Sequence, residues 1–265
     1  HRRPAQTGRI ELNTPAPEFR LASIALPAFG PSVFNGIAQG AILPVIAFSA
    51  RDLGASFAMA GLIVALIGIG SLIFNIPAAM IASRFGERFA MFYAALVGML
   101  ALALCLFARH PAMLGAGVLL FGMANSVFIL ARQTFLIEAV PYQYRARALS
   151  TLAGCMRIGL FIGPFAGAAA MYVGGLRSAY AVALVAIAAV GWLTYTLPDL
   201  RAPDSAHDTT APAPSIGTLL RNHAGVLTTL GFGALLVSAV RAARQVVVPL
   251  WATHLGLPPI TASII

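Results

Sequence analysis

Four arginines stand inside stretches that otherwise hold almost nothing but apolar residues: Arg132, Arg157, Arg241 and Arg244. A guanidinium keeps its charge even when water is scarce, and presents its donors in a planar fork. Its natural counterpart is a carboxylate or a phosphate, gripped by two parallel hydrogen bonds. Amides share these surroundings. Asn35 and Gln39 are four residues apart, on one face of any helix, while Asn75 and Asn125 lie in two further apolar runs. Glu138 is the single acid inside such a run, close to its end. Holding a small anionic or zwitterionic molecule is the chemistry these residue types can do. Substrate contact is therefore assigned to Asn35, Gln39, Asn125, Arg132, Arg157, Arg241 and Arg244. Each assignment has a plainer competitor. Carboxylates elsewhere can neutralise the arginines, and amides can join helices as ordinary packing bonds.

Other chemistries find little purchase. Gly54-Ala55-Ser56-Phe57 matches an intramembrane serine protease by letters alone, and it falls between two apolar runs. The histidines (His1, His110, His207, His223 and His254) all lie at run ends or in polar segments, and neither GxSxG nor HExxH occurs. Cys105 and Cys155 sit in apolar runs with no CxxC or Cys/His cluster, so they read as small buried hydrophobes. No metal and no cofactor is expected. An intramembrane enzyme stays a distant alternative.

The elements that must position these residues are set by hydrophobicity. Of the 265 residues, 59% are hydrophobic and 9% charged, against about a quarter charged in an average soluble domain. Mean hydropathy is +0.87. Seven runs are long enough to cross a bilayer, at about 21–48, 57–82, 89–108, 112–138, 147–173, 176–197 and 224–252, and an eighth opens near Pro259. Lipid cannot satisfy an open backbone, so these runs must be helices. The fold class is all-α integral membrane. Four segments follow: a polar tail over 1–20, a six-helix bundle over 21–197, a linker rich in Pro, Ala, Ser and Asp over 198–223, and the start of a second bundle over 224–265.

Arginine placement orients the chain. With a cytoplasmic amino terminus, ten arginines lie inside (2, 3, 9, 20, 84, 88, 145, 147, 201 and 221) and three outside (51, 109 and 177). That orientation puts the linker in the cytoplasm. The formal charge of +9 is scattered between apolar runs and forms no patch for nucleic acid. The expected partners are the lipid bilayer, as a multi-pass inner or plasma membrane protein, and a small-molecule substrate.

Residues 157–170, RIGLFIGPFAGAAA, carry Gly159, Gly163 and Gly167 at four-residue spacing, with Pro164 among them. Each glycine weakens a helix. The spacing is useful if another helix must approach closely along that face. A faint repeat accompanies it: the first and seventh runs both end in a proline (Pro44, Pro249) followed by Leu-Gly (53–54, 255–256). Two parallel halves joined at the linker fit this pattern.

With these features in view, the chain resembles the major facilitator superfamily, and within it the drug/proton antiporter type of efflux permease. Three stretches carry the resemblance. AMIASRFGER, residues 79–88, follows the family's loop between helices two and three, with Arg84, Gly86 and Arg88 in place; Ser83 stands where the family has aspartate, Glu87 where it has arginine, and Ala79 where it has the first glycine. Arg132-Gln133 resembles the arginine-plus-polar pair of the fourth helix. Gly159-x-x-x-Gly163-Pro164-x-x-Gly167 resembles the fifth-helix pattern of antiporters. The resemblance implies alternating access between two halves, of which the second only begins in this chain, with protons as the coupling partner. It also implies that the glycine face packs at the outer end of the seam between the halves and helps seal the cavity. Glu138 is expected to pair with Arg84, Arg88 or Arg145, in place of the charge network that the missing aspartate would serve. An uptake permease or uniporter, and a sensor or assembly factor of the same fold, remain as alternatives.

Overall fold

The structure, a computed structural model, describes residues 25–196 and 224–254, with side chains omitted at 25–28, 83–85, 226, 227, 242, 245, 246, 248–250 and 252–254. The tail 1–20, the linker 198–223, the residues past 254 and the Ser83 and Arg84 side chains lie outside the described residues. The described chain is helical, with no strand among the described residues: α1 (Ala25–Asp52), α2 (Phe57–Phe85), α3 (Glu87–Leu106), α4 (Pro111–Ala139), a 3-10 turn (Tyr142–Tyr144), α5 (Arg145–Gly174), α6 (Ser178–Thr196) and α7 (Ala224–His254). Among them, α1 to α6 are long and apolar enough to cross a membrane.

Local chemistry sets the ends of these helices. The Ser56 hydroxyl accepts the Met59 amide at 3.2 Å and caps α2. That is a structural duty for the serine whose surroundings resembled a protease by letters. His110 caps α4 by accepting the Ala112 amide through Nδ1 at 3.2 Å, and Pro111 opens the helix where no donor is needed. One residue, Gly86, separates α2 from α3. Its φ of 82° belongs to the region that side chains avoid, so the turn requires glycine. Glu87 then begins α3 as a buried acid in the first helical turn. A carboxylate is stabilised there by the positive end of the helix dipole, which gives a local reason for an acid at this position.

Aromatic side chains mark two levels. Phe89, Tyr93, Tyr142, Trp192 and Tyr195 are exposed at the end that holds the α2–α3 and α4–α5 turns. Phe57, Phe107 and Tyr172 are exposed at the opposite end. Along α3, Phe89 to Phe107 spans about 27 Å at 1.5 Å per residue, close to the ~30 Å of a hydrocarbon core. Amphipathic rings gather at both membrane–water interfaces, so the bundle carries its own two belts.

Within the bundle, α1 packs on α5 and α6, α4 packs on α2 and α3, and α3 packs on α6. Two of these contacts bring backbone against backbone. A methyl group built on Gly159 would stand 2.1 Å from the Val33 carbonyl oxygen, and one on Gly163 would stand 2.6 Å from that of Ile37. Reciprocally, a methyl on Gly36 would meet the Met156 carbonyl at 2.4 Å and one on Gly40 the Leu160 carbonyl at 2.6 Å. The glycine stripe of α5 thus fits a second glycine pair, Gly36 and Gly40, on the parallel helix α1. This corrects the expected place of the stripe. Its glycines are seated inside the first bundle, because α1 offers the matching small face. Pro164 belongs to the same contact: its Cδ would lie 3.0 Å from a methyl on Gly40. The second close contact joins α2 to α4, where a methyl on Gly122 would reach the Ile67 carbonyl at 2.3 Å and one on Gly70 that of Leu119 at 2.4 Å.

The α1–α5 contact makes a graded prediction. Gly159→Ala forces two backbones apart, an overpacking that costs about 1–3 kcal/mol. Gly154→Ala meets nothing within 4 Å and should be neutral or slightly stabilising, since alanine is the better helix former. Thermal melting of both purified variants in detergent checks this. Equal melting temperatures would refute the close contact.

Candidate functional site

A cavity of about 290 Å³ opens between α4 and α5 and reaches α1. Ligand sites are commonly roughly 300–1,000 Å³, so this one is near the lower end. Helical spacing explains its walls. On α4, Phe128 and Ile129, Arg132 and Gln133, and Ile137 recur at intervals of four and five residues along one broad face. On α5, Leu149, Leu152, Ala153 and Met156 repeat at three and four residues. Ser32 of α1 is the remaining wall residue. The glycine contact draws α5 onto α1, and α4 and α5 touch at few points; the gap between them is the cavity.

Arg132 is 3% exposed. Its Nη1 lies 3.8 Å from Met91 Sδ on α3, and its guanidinium carbon is 5.6 Å from the centre of the Phe135 ring. A cation is attracted to a ring face at that distance. The arginine is thus steadied on the α3 side while it forms part of the cavity wall. Beside it, Gln133 is exposed and Ser32 buried. The site is an apolar chamber with one fixed cation, one amide and one hydroxyl.

A polar cluster sits deeper in the bundle. Asn125 Oδ1 of α4 accepts two hydrogen bonds from α1, one from Asn35 Nδ2 at 3.0 Å and one from Gln39 Nε2 at 2.9 Å. Asn35 and Asn125 are buried and Gln39 is half-buried. Three of the residues assigned to substrate contact are therefore brought together, and they bond to one another across α1 and α4. Gln39 is the member that retains exposed surface.

Other assigned residues lie apart. Arg157 is exposed on α5, and Arg241 and Arg244 are exposed on α7, whose described side chains are all exposed. Arg88 Nη2 donates to the Tyr195 carbonyl at the end of α6. Arg145 Nε donates to the Val140 carbonyl at 3.2 Å, and its guanidinium faces the Tyr142 ring. Half-buried Glu138 makes no salt bridge with Arg88 or Arg145 among the described residues, and Arg145 is turned to the backbone of its own turn. The Arg84 side chain lies outside the described residues.

Some residues of the site were not singled out from the sequence. Met91 and Ser32 gave no signal, since a lone methionine or serine in an apolar run is commonplace. Ser71, which donates to the Gly122 carbonyl at 2.9 Å, and Ser126, which donates to Asn75 Oδ1, clip α2 to α4. The pair Gly36 and Gly40 did carry a signal, since it repeats the four-residue spacing of Gly159 and Gly163.

A family profile described as Major Facilitator Superfamily matches residues 29–265. Among curated proteins, the chain is 27% identical over 178 residues to the multidrug resistance protein MdtG of Erwinia billingiae, covering 64% of this chain and 43% of that protein. It is 26% identical over 168 residues to MdtG of Enterobacter lignolyticus, covering 62% and 40%. The chain thus spans about two-fifths of the length of the curated relatives it matches. Among solved structures, a bacterial homologue of the human lysosomal transporter Spinster, inward-facing and unoccupied, superposes with a TM-score of 0.73 at 17% identity, over 92% of this chain and 58% of that one. A D-xylose–proton symporter superposes with a TM-score of 0.66 at 14% identity, over 92% and 64%. At these identities the two structures speak to the fold alone.

The amide cluster generates its own prediction. Asn125→Ala removes the acceptor of two bonds and leaves the buried Asn35 amide unsatisfied, at a cost of roughly 1–2 kcal/mol. Gln39→Ala, from a half-buried position, should cost less. Melting temperatures of the two variants in detergent decide it: a larger loss from Gln39→Ala would refute the cluster as an interhelical bond.

Proposed function

The chain belongs to the Major Facilitator Superfamily, and from that premise we propose that it forms the first bundle of a secondary transporter that exports a small amphiphilic organic solute, with an anionic group preferred, by proton-coupled alternating access. The multi-pass fold lies in a lipid bilayer; the inner membrane and a cytoplasmic amino terminus are part of the proposal. The observation that carries it is Arg132 in the wall of the 290 Å³ cavity. Apolar side chains there accept a greasy body without demanding a particular shape. The guanidinium attracts a carboxylate or phosphate, and does so more strongly where water is scarce. Gln133 and the exposed part of Gln39 add hydrogen-bonding groups that suit a zwitterion equally well. The MdtG relatives, named for multidrug resistance, favour export over uptake.

Alternating access needs a second set of helices to close on the first. On this reading Arg157, Arg241 and Arg244 are exposed because they face the vestibule between the halves. Proton coupling needs a group that titrates during the cycle. Glu138 follows the wall residue Ile137 directly in sequence and has no salt bridge among the described residues, which suits it to that role.

Two tests separate the parts of this proposal. The full-length gene product, expressed in a strain lacking its main efflux pumps, should export an anionic amphiphilic dye, and collapse of the proton gradient should stop that export. Arg132→Gln should cut export at least tenfold with membrane expression unchanged, whereas Arg132→Lys, which keeps the charge but loses the fork, should retain part of it. Wild-type export by Arg132→Gln would remove the arginine from the mechanism. Orientation is read independently from alkaline phosphatase fusions. A fusion after Arg109 should be active and one after Tyr142 inactive; the opposite pattern would invert the topology.

A further inference from the structure

Phe128 of α4 lines two spaces at once. One is the 290 Å³ cavity that holds Arg132 in its wall. The other is small, about 10 Å³, and is bounded by α1, α3, α4 and α6. Asn35 and Asn125, joined by their 3.0 Å hydrogen bond, give the small space its polar side. Ala94, Ala95, Gly98 and Ala124 supply much of the rest. No other residue lines both spaces, and Phe128 is 4% exposed.

Helical register produces this arrangement. Along α4, Asn125, Phe128 and Arg132 stand at i, i+3 and i+7, the spacing of one helix face. Along α1, Ser32 and Asn35 stand at i and i+3. Ser32 and Arg132 belong to the larger cavity, Asn35 and Asn125 to the smaller. The two spaces therefore follow one another along the same pair of helix faces, and the Phe128 ring stands at the step between them. A rise of 1.5 Å per residue puts Phe128 about 6 Å along the axis from Arg132. Phe128 and Met156 lie equally far from the α4–α5 turn at Tyr142, so the two mark one level of the cavity. From Arg132 the other direction leads back to that turn. An apolar body gains more by extending inward, where it meets Phe128.

Resting on the reading of Arg132 as the anchor of an anionic solute, we propose that Phe128 is a specificity-determining residue: its ring is the partition that sets how long a body the anchored solute can carry toward the interior of the bundle. With the ring in place, the body ends there. A smaller side chain would join the larger cavity to the space beyond, and the alanines and glycine around that space are too short to fill the gap. Asn35 and Asn125 stay bonded to each other, so the added length is offered mainly apolar surface, which suits a longer apolar body.

The test uses the full-length gene product in lipid nanodiscs and a rigid series of probes: benzoate, biphenylcarboxylate and terphenylcarboxylate, each longer acid with its carboxylate in the para position. The anion is constant and only length changes. Equilibrium binding of the radiolabelled acids gives the quantity read, the ratio of affinities for the longest and the shortest. Phe128→Leu should raise that ratio about tenfold, the order by which an apolar pocket discriminates a small change of size, and Phe128→Trp should lower it. Phe121→Leu is the control. Phe121 is as deeply buried, at 2% exposed, but lines the small space alone, so the same truncation there should leave the ratio at its wild-type value. An unchanged ratio in the Phe128 variants, or an equal rise from Phe121→Leu, would overturn the proposal. Opposite shifts from leucine and tryptophan cannot come from a general loss of stability, and either variant that folds is enough to decide. Arg132→Gln separates this inference from the reading beneath it, since it should weaken all three acids alike. Binding indifferent to Arg132→Gln, or no binding to the wild type, would defeat the anchor and the partition together. Binding that needs Arg132 but keeps its ratio in the Phe128 variants would defeat the partition alone.

Discussion

The contact between the backbones of α1 and α5 sets the geometry of everything else in this bundle. Four glycines, Gly36 and Gly40 on one helix and Gly159 and Gly163 on the other, let the two chains approach to where any side chain would strike a carbonyl oxygen. Between helices in lipid there is no hydrophobic drive to association, so such close packing is among the few attractive terms available. Each glycine weakens its own helix. The loss is tolerable because a membrane helix keeps its backbone bonds regardless, while the packing gained is collective. Pro164 fits the same logic: its ring fills space beside Gly40 that a side chain would otherwise need.

That contact also decides where the cavity lies. With α5 pressed to α1, and α4 pressed to α2 by Gly70 and Gly122, the antiparallel neighbours α4 and α5 are pulled toward different partners. The gap they leave is lined by the α4 face that bears Arg132. The polar groups then divide by surroundings. Asn35, Gln39 and Asn125 satisfy one another where α1 and α4 meet. Arg132 lies where Met91 and Phe135 hold it and a cavity is open beside it.

Much of this fold was legible in the sequence, and the reason is physical. A bilayer leaves few options for an apolar run of some twenty residues, so the helices from α1 to α6 could be named from hydropathy and from turn residues such as Gly86 and Pro111. The stripe Gly159, Gly163, Gly167 was legible as a close-packing face, because a four-residue spacing of small residues has one geometric meaning. Its partner was not. Spacing says which residues share a face but carries no information on which helix lies opposite, and the family likeness pointed to the seam between halves. The same limit applied to charge. Glu138 was expected to pair with Arg84, Arg88 or Arg145, but a turn has unsatisfied carbonyls of its own, and of these three the Val140 carbonyl takes Arg145. Asn35 and Gln39 could be placed on one face of α1, but the single oxygen of Asn125 that takes both donors is a tertiary fact.

The division between tight and loose contacts bears on the proposed transport cycle. A bundle that rocks as one body must not change shape internally, and the glycine contacts α1–α5 and α2–α4 supply that rigidity at mid-depth, where backbones touch. The sparse α4–α5 contact is the opposite case: it leaves space for a solute without loosening either pair. If solute entered between α1 and α5, carbonyls at van der Waals distance would have to separate, and the attractive contact that replaces hydrophobic association in lipid would be lost. Entry between α4 and α5 breaks nothing comparable. On the proposed function, a solute in this cavity would not compete with the rigidity of the glycine contacts, and Arg132 in its wall would face that solute.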